Sequence, residues 1–224
     1  YNNAKSYIKE YIKNPKIGAM IEVVQPEAGV DYFPERTSVS QVASGLKKIN
    51  LVNKGGGLNL DYGGGKYDKG TDYLAGQGIE NVVFDRFAKS SAENKKAMDR
   101  IKQQGGADSA TLLNVLNVIA DVKERAVIIK DAFKNLKPGG KMLVQTYEGN
   151  KSGTGAMTGR QTWQENRPTA SYVSEMQEAL PNANIVRKGQ YITISKDTKA
   201  VRPKTERPLA PKPIDFKKAS LKNK

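Results

Sequence analysis

Residues 57–70, Gly-Leu-Asn-Leu-Asp-Tyr-Gly-Gly-Gly-Lys-Tyr-Asp-Lys-Gly, run from a short apolar stretch through an acid into three consecutive glycines. The apolar stretch predicts a strand, the glycines a sharp turn, and Asp68 to Ala75 the opening of a helix with Asp68 as its N-cap. Gly63, Gly64 and Gly65 lack a Cβ, so the chain can reverse there and let a ligand lie against backbone amides. Strand, glycine turn and helix in that order point to an α/β architecture with a ligand cradle at a strand end. A phosphate loop of the form G-x-x-x-x-G-K-[ST] needs glycine at position 60 and a hydroxyl after the lysine, where the chain has Leu60 and Tyr67. The dinucleotide fingerprint G-x-G-x-x-G is met at Gly63 and Gly65, but its third glycine falls on Asp68.

What remains is an acid two residues before a G-x-G, Asp61-Tyr62-Gly63-Gly64-Gly65, with Asp85 twenty positions past Gly65 at the end of the apolar run Asn81–Phe84. This pattern resembles the class I S-adenosylmethionine-dependent methyltransferases, and among them it is similar to methyltransferases of phages and mobile elements. The resemblance runs from about Leu58 to Ser195. Asp108 to Ile119 is similar to the family's fourth strand and its exit. Arg125 to Leu136 predicts a helix, Lys137-Pro138-Gly139-Gly140 a turn and Lys141 to Tyr147 a strand, and this L-K-P-G-G segment is the most family-specific piece. After a helix from Ser171 to Leu180, Ile185–Arg187 and Gln190–Ser195 predict a hairpin around Lys188-Gly189.

The resemblance implies a Rossmann-like α/β fold whose sheet is mostly parallel and ends in a C-terminal antiparallel hairpin. It implies S-adenosylmethionine as cofactor, with Asp61, Gly63, Gly64 and Gly65 against its amino-acid end and Asp85 on its ribose hydroxyls. One departure matters. Between Asp85 and Asp108 the chain holds a single helix-like segment, Ala92 to Gln104, and then Gly105-Gly106. The family's third strand and its adenine-reading acid have no counterpart, so six strands are expected rather than seven. Asp108, with the backbone of Gly106 and Ala107, is the nearest candidate for the adenine contact; the alternative is a solvated residue at a strand start.

At the exit of the fourth strand the chain has Asn114-Val115-Leu116-Asn117, where enzymes that methylate exocyclic amines carry [DNS]-P-P-[YFW]. The resemblance makes Asn114 a cofactor-binding candidate and the catalytic candidate that orients an amino group beside the cofactor. Asn117 is a second catalytic candidate, or a cap for the next helix. The same block is equally close to small-molecule methyltransferases. Absence of cysteine closes the cytosine-C5 route and excludes disulfides and thiolate metal sites. Absence of histidine removes the commonest general base, and no metal site is expected. Beyond the fifth strand, Glu148 to Thr169 reads as a loop of glycines and polar residues, a length that is functional or disordered in most compact domains. Glu148, Arg160, Trp163 and Arg167 are its candidate acceptor-binding residues, with Trp163 between two arginines as a stacking surface for a nucleobase. The other reading of Trp163 is an anchor that packs the loop onto the body.

The net charge of +14 is uneven: from Lys196 to Lys224 ten basic residues face three acidic ones among four prolines. That segment has too little apolar surface to offset its ordering entropy and is expected to be an extended tail, either contacting phosphates or solubilising the chain. Ala4 to Lys13 predicts a docking helix, Ala19 to Gln25 a strand, and Thr37 or Ser38 caps a helix from about Val39 to Leu51 through Val42, Leu46 and Ile49. The expected organisation is residues 1–52 as a cover over the cofactor pocket, 53–195 as the methyltransferase domain and 196–224 as the tail. The chain opens on Tyr1, as a processed form or a portion of a longer chain would. No apolar run is long enough for a membrane span, and the expected location is cytoplasmic, or the host cytoplasm or virion for a phage-encoded protein. The expected activity is S-adenosylmethionine-dependent methyl transfer with nucleic acid, DNA in particular, as acceptor and nucleic-acid contact through the tail and residues 148–169. A small-molecule methyltransferase, or a non-catalytic nucleic-acid-binding or virion protein retaining the fold, are the alternatives.

Overall fold

The computed structural model describes residues 41–159 and 162–197. Strand and helix alternate as β1 (Leu58–Tyr62), α1 (Lys69–Ala75), β2 (Glu80–Phe84), α2 (Ser91–Gln103), β3 (Ala107–Leu113), α3 (Val122–Lys134) and β4 (Leu136–Gln145). A small hairpin follows, β5 (Gly155–Gly159) and β6 (Thr162–Glu165), then α4 (Val173–Ala179), β7 (Asn184–Lys188) and β8 (Tyr191–Ser195).

Among the described residues the main sheet has six strands in the order β2-β1-β3-β4-β8-β7. The first four are parallel neighbours, each joined to the next through a helix, as parallel pairing requires. β8 runs antiparallel to β4, and β7 to β8. The expected sheet, with six strands and an antiparallel end, is the one observed. Its chain path moves from β1 outward to β2, then back past β1 to β3. Right-handed crossovers in opposite directions put their helices on opposite faces of a sheet. Accordingly Leu74 of α1 packs with Leu113 and Leu143 on one face, and Ile101 of α2 packs with Leu58, Leu60 and Leu112 on the other.

Strand alternation explains the two faces. Leu58, Leu60 and Tyr62 of β1, Ala110 and Leu112 of β3, and Met142 and Val144 of β4 enter the larger cluster under α3 and α4. The odd-numbered positions turn the other way, and there β1 and β3 bury Asn59, Asp61, Ser109 and Thr111.

Several local expectations change. The helix expected over residues 39–51 is, among described residues, a 3-10 turn over Leu46–Leu51 whose Leu46 and Ile49 are buried. Lys137–Gly140 lies within β4 as an irregular stretch: Ala107 pairs with Leu136 and Ser109 with Lys141, so extra residues bulge between them. Residues 148–169 contain the β5–β6 hairpin rather than an unstructured loop. The helix expected from Ser171 starts as a 3-10 turn over Thr169–Tyr172. Among described residues no helix is long and apolar enough to cross a membrane. The expected elements before residue 41, Arg160, and the tail beyond Asp197 lie outside the described residues.

Candidate active site at the carboxyl ends of the parallel strands

Because β1 to β4 are parallel, their exits share one edge of the sheet, and the reversal of strand order leaves a crevice between β1 and β3. Asp61 and the glycine loop leave β1, Asp85 follows β2, Asn114 follows β3 and Tyr147 follows β4. The structure therefore brings Asp61, Asp85, the glycines and Asn114 to one edge.

The loop is built by backbone that only glycine adopts easily. Gly63 and Gly65 have φ of 80° and 78°. A Cβ on Gly63 would meet Val115 Cγ2 at 2.4 Å, so the β1 and β3 exits are in direct contact across the crevice. A Cβ on Gly64 would lie 2.5 Å from Asp61 Oδ2, so the loop sits on the Asp61 carboxylate. Burial pushes the Asp61 carboxyl up, the hydrogen bond from Thr111 lowers it and the Asp85 charge raises it, for a value of about 6.

Asp85 ties the loop to the end of β2. Its Oδ2 accepts from Gly65 N at 2.9 Å, and its Oδ1 accepts from Phe87 N at 2.9 Å and Ala88 N at 2.8 Å. Asn94, buried in the first turns of α2, grips the backbone of the same residue: Asp85 N donates to its Oδ1 at 2.9 Å, and its Nδ2 donates to Asp85 O at 2.8 Å. A capping box between Ser90 and Glu93 starts α2 where this grip requires it. Sequence reading missed Asn94, although a buried asparagine on an apolar helix stripe is a signal in itself. Asn94→Ala is expected to lower stability by about 1–3 kcal/mol, and ligand affinity with it, because the Asp85 backbone groups lose their partner. Chemical denaturation and calorimetry on the same variant check both.

Asn114 has φ of 58°, a left-handed conformation that asparagine tolerates better than most residues, held by its amide donating to Gln145 O at 2.8 Å. Strain of this kind concentrates at functional sites.

The remaining candidates are not part of this cluster. Asp108 stands at the start of β3, at the opposite edge of the sheet, where Leu58 N, Gln104 Nε2 and Lys137 Nζ donate to it. Burial pushes its carboxyl up, but those three bonds and the Lys137 charge hold it below the usual range, so its role is to pin the strand starts. Asn117 is buried with both polar ends engaged, Nδ2 on Gln164 Oε1 at 3.2 Å and Oδ1 on Tyr147 N at 3.4 Å. It neither caps a helix nor presents a free amide; Asp121 caps α3. Glu148 accepts from Thr169 N at 2.8 Å and pairs with Lys151 at 3.0 Å, which keeps its carboxyl low.

Arg167 is also engaged internally. Its guanidinium lies 3.8 Å from the Tyr172 ring centroid and bonds Glu175 Oε1 at 2.5 Å. Glu175 is shared with Arg125, a nearly buried residue on α3. Arg125 further donates to Ile119 O and Ala120 O, and its guanidinium is 3.5 Å from Glu165 of β6. Burial pushes the Glu175 carboxyl up, and the two guanidinium groups more than offset it, leaving it below the ordinary range. The half-buried Trp163 lies across Gly155 of the neighbouring strand, where a Cβ would come 2.0 Å from its Cζ2, and its Nε1 is buried without a partner. Gln164 completes the fastening of the hairpin by donating to Tyr147 O at 3.0 Å.

A family model described as a methyltransferase domain matches residues 35–182. No curated protein sequence matches the chain. Among solved structures, the Burkholderia thailandensis 1,6-didemethyltoxoflavin-N1-methyltransferase, with bound 1,6-didemethyltoxoflavin and S-adenosylhomocysteine, is similar at 13% identity and a TM-score of 0.51 over 87% of each chain. A methyltransferase structure from Methanosarcina mazei is similar at 16% identity and a TM-score of 0.46, over 68% of this chain and 98% of that one.

Proposed function

This chain belongs to the methyltransferase-domain family, and on that premise we propose that the site at the exits of β1 to β4 transfers a methyl group from S-adenosylmethionine to a small-molecule acceptor. The donor set suits that cofactor. Two carboxylates at adjacent strand ends, Asp61 and Asp85, face a glycine loop that admits no Cβ at positions 63 and 64. A cationic ligand bearing an amino group and ribose hydroxyls matches acids and backbone amides of this kind. Asp85, with two backbone amides on Oδ1 and one on Oδ2, keeps an acceptor position on Oδ2 for a hydroxyl, Asp61 supplies negative charge under the loop, and the loop itself supplies close backbone approach. When bound, the cofactor provides an electrophilic sulfonium methyl for in-line displacement. The chain contributes orientation and exclusion of water. Asn114, at the β3 exit, offers a side-chain carbonyl to orient the acceptor.

The observation that carries a small acceptor over nucleic acid is the pairing inside the hairpin region. Arg167, the described member of the arginine pair expected to flank Trp163, is bound to Glu175 together with Arg125, and β6 is fastened over the exits of β3 and β4 through Gln164 and Asn117. At that edge Asn114 and Val115 follow β3, and the exposed Tyr147 follows β4.

Calorimetry with S-adenosylhomocysteine, followed by transfer of a labelled methyl group to a metabolite extract, DNA and RNA, tests the reading. Label in the small-molecule fraction supports it. Label in DNA, with binding that weakens steeply with salt, overturns the acceptor and restores the nucleic-acid reading. Asp85→Ala is expected to weaken cofactor binding about ten- to hundredfold, since a hydrogen bond to a charged group contributes roughly 1.5–3 kcal/mol. Unchanged affinity would remove Asp85 from the site.

A further inference from the structure

The sheet face under α1 carries a continuous run of buried polar side chains. Asn53 Nδ2 donates to Ser109 Oγ at 3.1 Å, and Ser109 Oγ donates to Asn59 Oδ1 at 2.8 Å. Asn59 Nδ2 donates to Thr111 Oγ1 at 3.1 Å and to Asn81 Oδ1 at 2.8 Å. Thr111 Oγ1 donates to Asp61 Oδ1 at 2.8 Å. Asn53, Asn59, Ser109, Thr111 and Asp61 are all buried. The run begins at the amino edge of the sheet, where Gly55 N donates to Asn53 Oδ1, and ends beneath the glycine loop.

Its direction is set by proton count. A hydroxyl has one proton to give. Ser109 receives from Asn53, so its proton goes to Asn59; Thr111 receives from Asn59, so its proton goes to Asp61. Along the run from Asn53 to Asp61 each bond therefore points toward the carboxylate, while the second Asn59 proton goes to a side branch at Asn81, and chained bonds in a low-dielectric interior polarise one another in the same sense. Apolar side chains of similar shape would serve packing about as well, since a satisfied polar pair adds little net stability. What apolar side chains lack is a donor aimed at Asp61. The charge that acts on Asp61 is that of Asp85, while β2, β3 and α1 present Asn81, Val83, Ser109, Thr111, Thr71 and Leu74 on this side, none of them ionisable, with the Tyr73 phenol of α1 packed against the same face.

We propose that Asn53, Ser109, Asn59 and Thr111 form a one-way hydrogen-bond ladder that holds the Asp61 carboxylate ionised and oriented under the glycine loop, with Thr111 as the positioning residue for cofactor binding. The cofactor half of this statement rests on the methyltransferase reading above; the ladder itself does not. A cationic cofactor binds better when Asp61 is ionised, so affinity rises with pH through the Asp61 titration, and any change that favours the protonated form moves that rise to higher pH.

The experiment is a pair of titrations on wild type, Thr111→Val and Thr111→Ser: the Asp61 carboxyl carbon by NMR in the free protein, and the pH dependence of S-adenosylmethionine affinity by calorimetry. Thr111→Val keeps the shape and removes the donor, and is expected to move both midpoints up by about one to two pH units, the shift that loss of a hydrogen bond to a charged group corresponds to. Thr111→Ser keeps the hydroxyl and is expected to stay at the wild-type midpoints. Ser109→Ala, two links upstream, is expected to move the carboxyl midpoint up by less, and serves as the reading if Thr111→Val fails to fold. An Asp61 carboxyl midpoint unmoved in Thr111→Val, or in Ser109→Ala where that is the reading, overturns the ladder. Carboxyl midpoints that move while wild-type affinity stays flat with pH support the ladder and overturn its link to the cofactor. Wild type that does not bind S-adenosylmethionine overturns the site reading alone, because the carboxyl titration still decides the ladder.

Discussion

Gly63→Val is expected to abolish measurable binding of S-adenosylhomocysteine, a larger loss than Asp85→Ala produces. Two effects act together. The backbone at 63 has φ of 80°, which a β-branched residue adopts only as a strained outlier. A Cβ there would also stand 2.4 Å from Val115 Cγ2, so either the loop lifts off Asp61 or the exit of β3 shifts. Either movement displaces groups that the cofactor must meet at once. The two effects are separable. Gly63→Ala retains the clash and eases the branching, and adding Val115→Ala removes the clash. Affinity should recover in part in that double variant, a coupling expected only of residues in contact. Wild-type affinity in Gly63→Val, with an unchanged melting temperature, would mean that the loop is a turn and nothing more.

Arg125→Ala is expected to have the largest effect on stability, about 3–5 kcal/mol, by breaking a buried ion pair and leaving its partner charges uncompensated. The guanidinium holds both oxygens of Glu175 through Nε and Nη2 at 2.8 and 3.1 Å, and through Nη1 the carbonyls of Ile119 and Ala120 at 2.6 and 3.0 Å. Glu165, at 3.5 Å, ties the hairpin to the same group. For a chain of this size such a loss lowers the melting temperature on the order of 10 °C. Arg125→Lys keeps the charge but not the planar fork, so it should fall between alanine and wild type. The pH dependence has a definite sign. Glu175 lies below its unfolded value, so its contribution is present above the ordinary carboxylate range and is lost as pH falls through the lowered folded value. Arg125→Ala should reduce that part of the acid sensitivity to the share that Arg167 still holds. A variant that melts within a degree or two of wild type would show that the cluster is ornamental to the fold.

Local chemistry made much of the fold legible. The Leu58–Asp61 alternation ending in three glycines specifies a strand and its exit within a few residues, and Asp85 is placed by the apolar run before it. The absence of a strand-like run between Asp85 and Asp108 was enough to expect the sheet of six strands that the structure has. Asp61, Asp85, the glycines and Asn114 converge because parallel strands put all their exits on one edge, a rule of topology that needs no side-chain contact.

The partners of charged and polar side chains were decided only by tertiary packing. Asp108 belongs to the wrong edge of the sheet for the crevice, since a strand start and a strand exit lie on opposite sides however near they are in sequence. Arg167 and Glu148 look free in a glycine-rich segment, yet Glu175, Tyr172 and Thr169 claim them once α4 and its preceding turn pack against α3. The ladder to Asp61 shows the physical reason. Asn59 and Ser109 are separated by 50 positions, as are Asp61 and Thr111, and they meet only because β1 and β3 pair in register. Periodicity reports which face a residue is on, and glycine reports where the backbone must turn. Which hydroxyl gives its proton to which carboxylate depends on strand register, and register is set when segments far apart in sequence bury their apolar faces together.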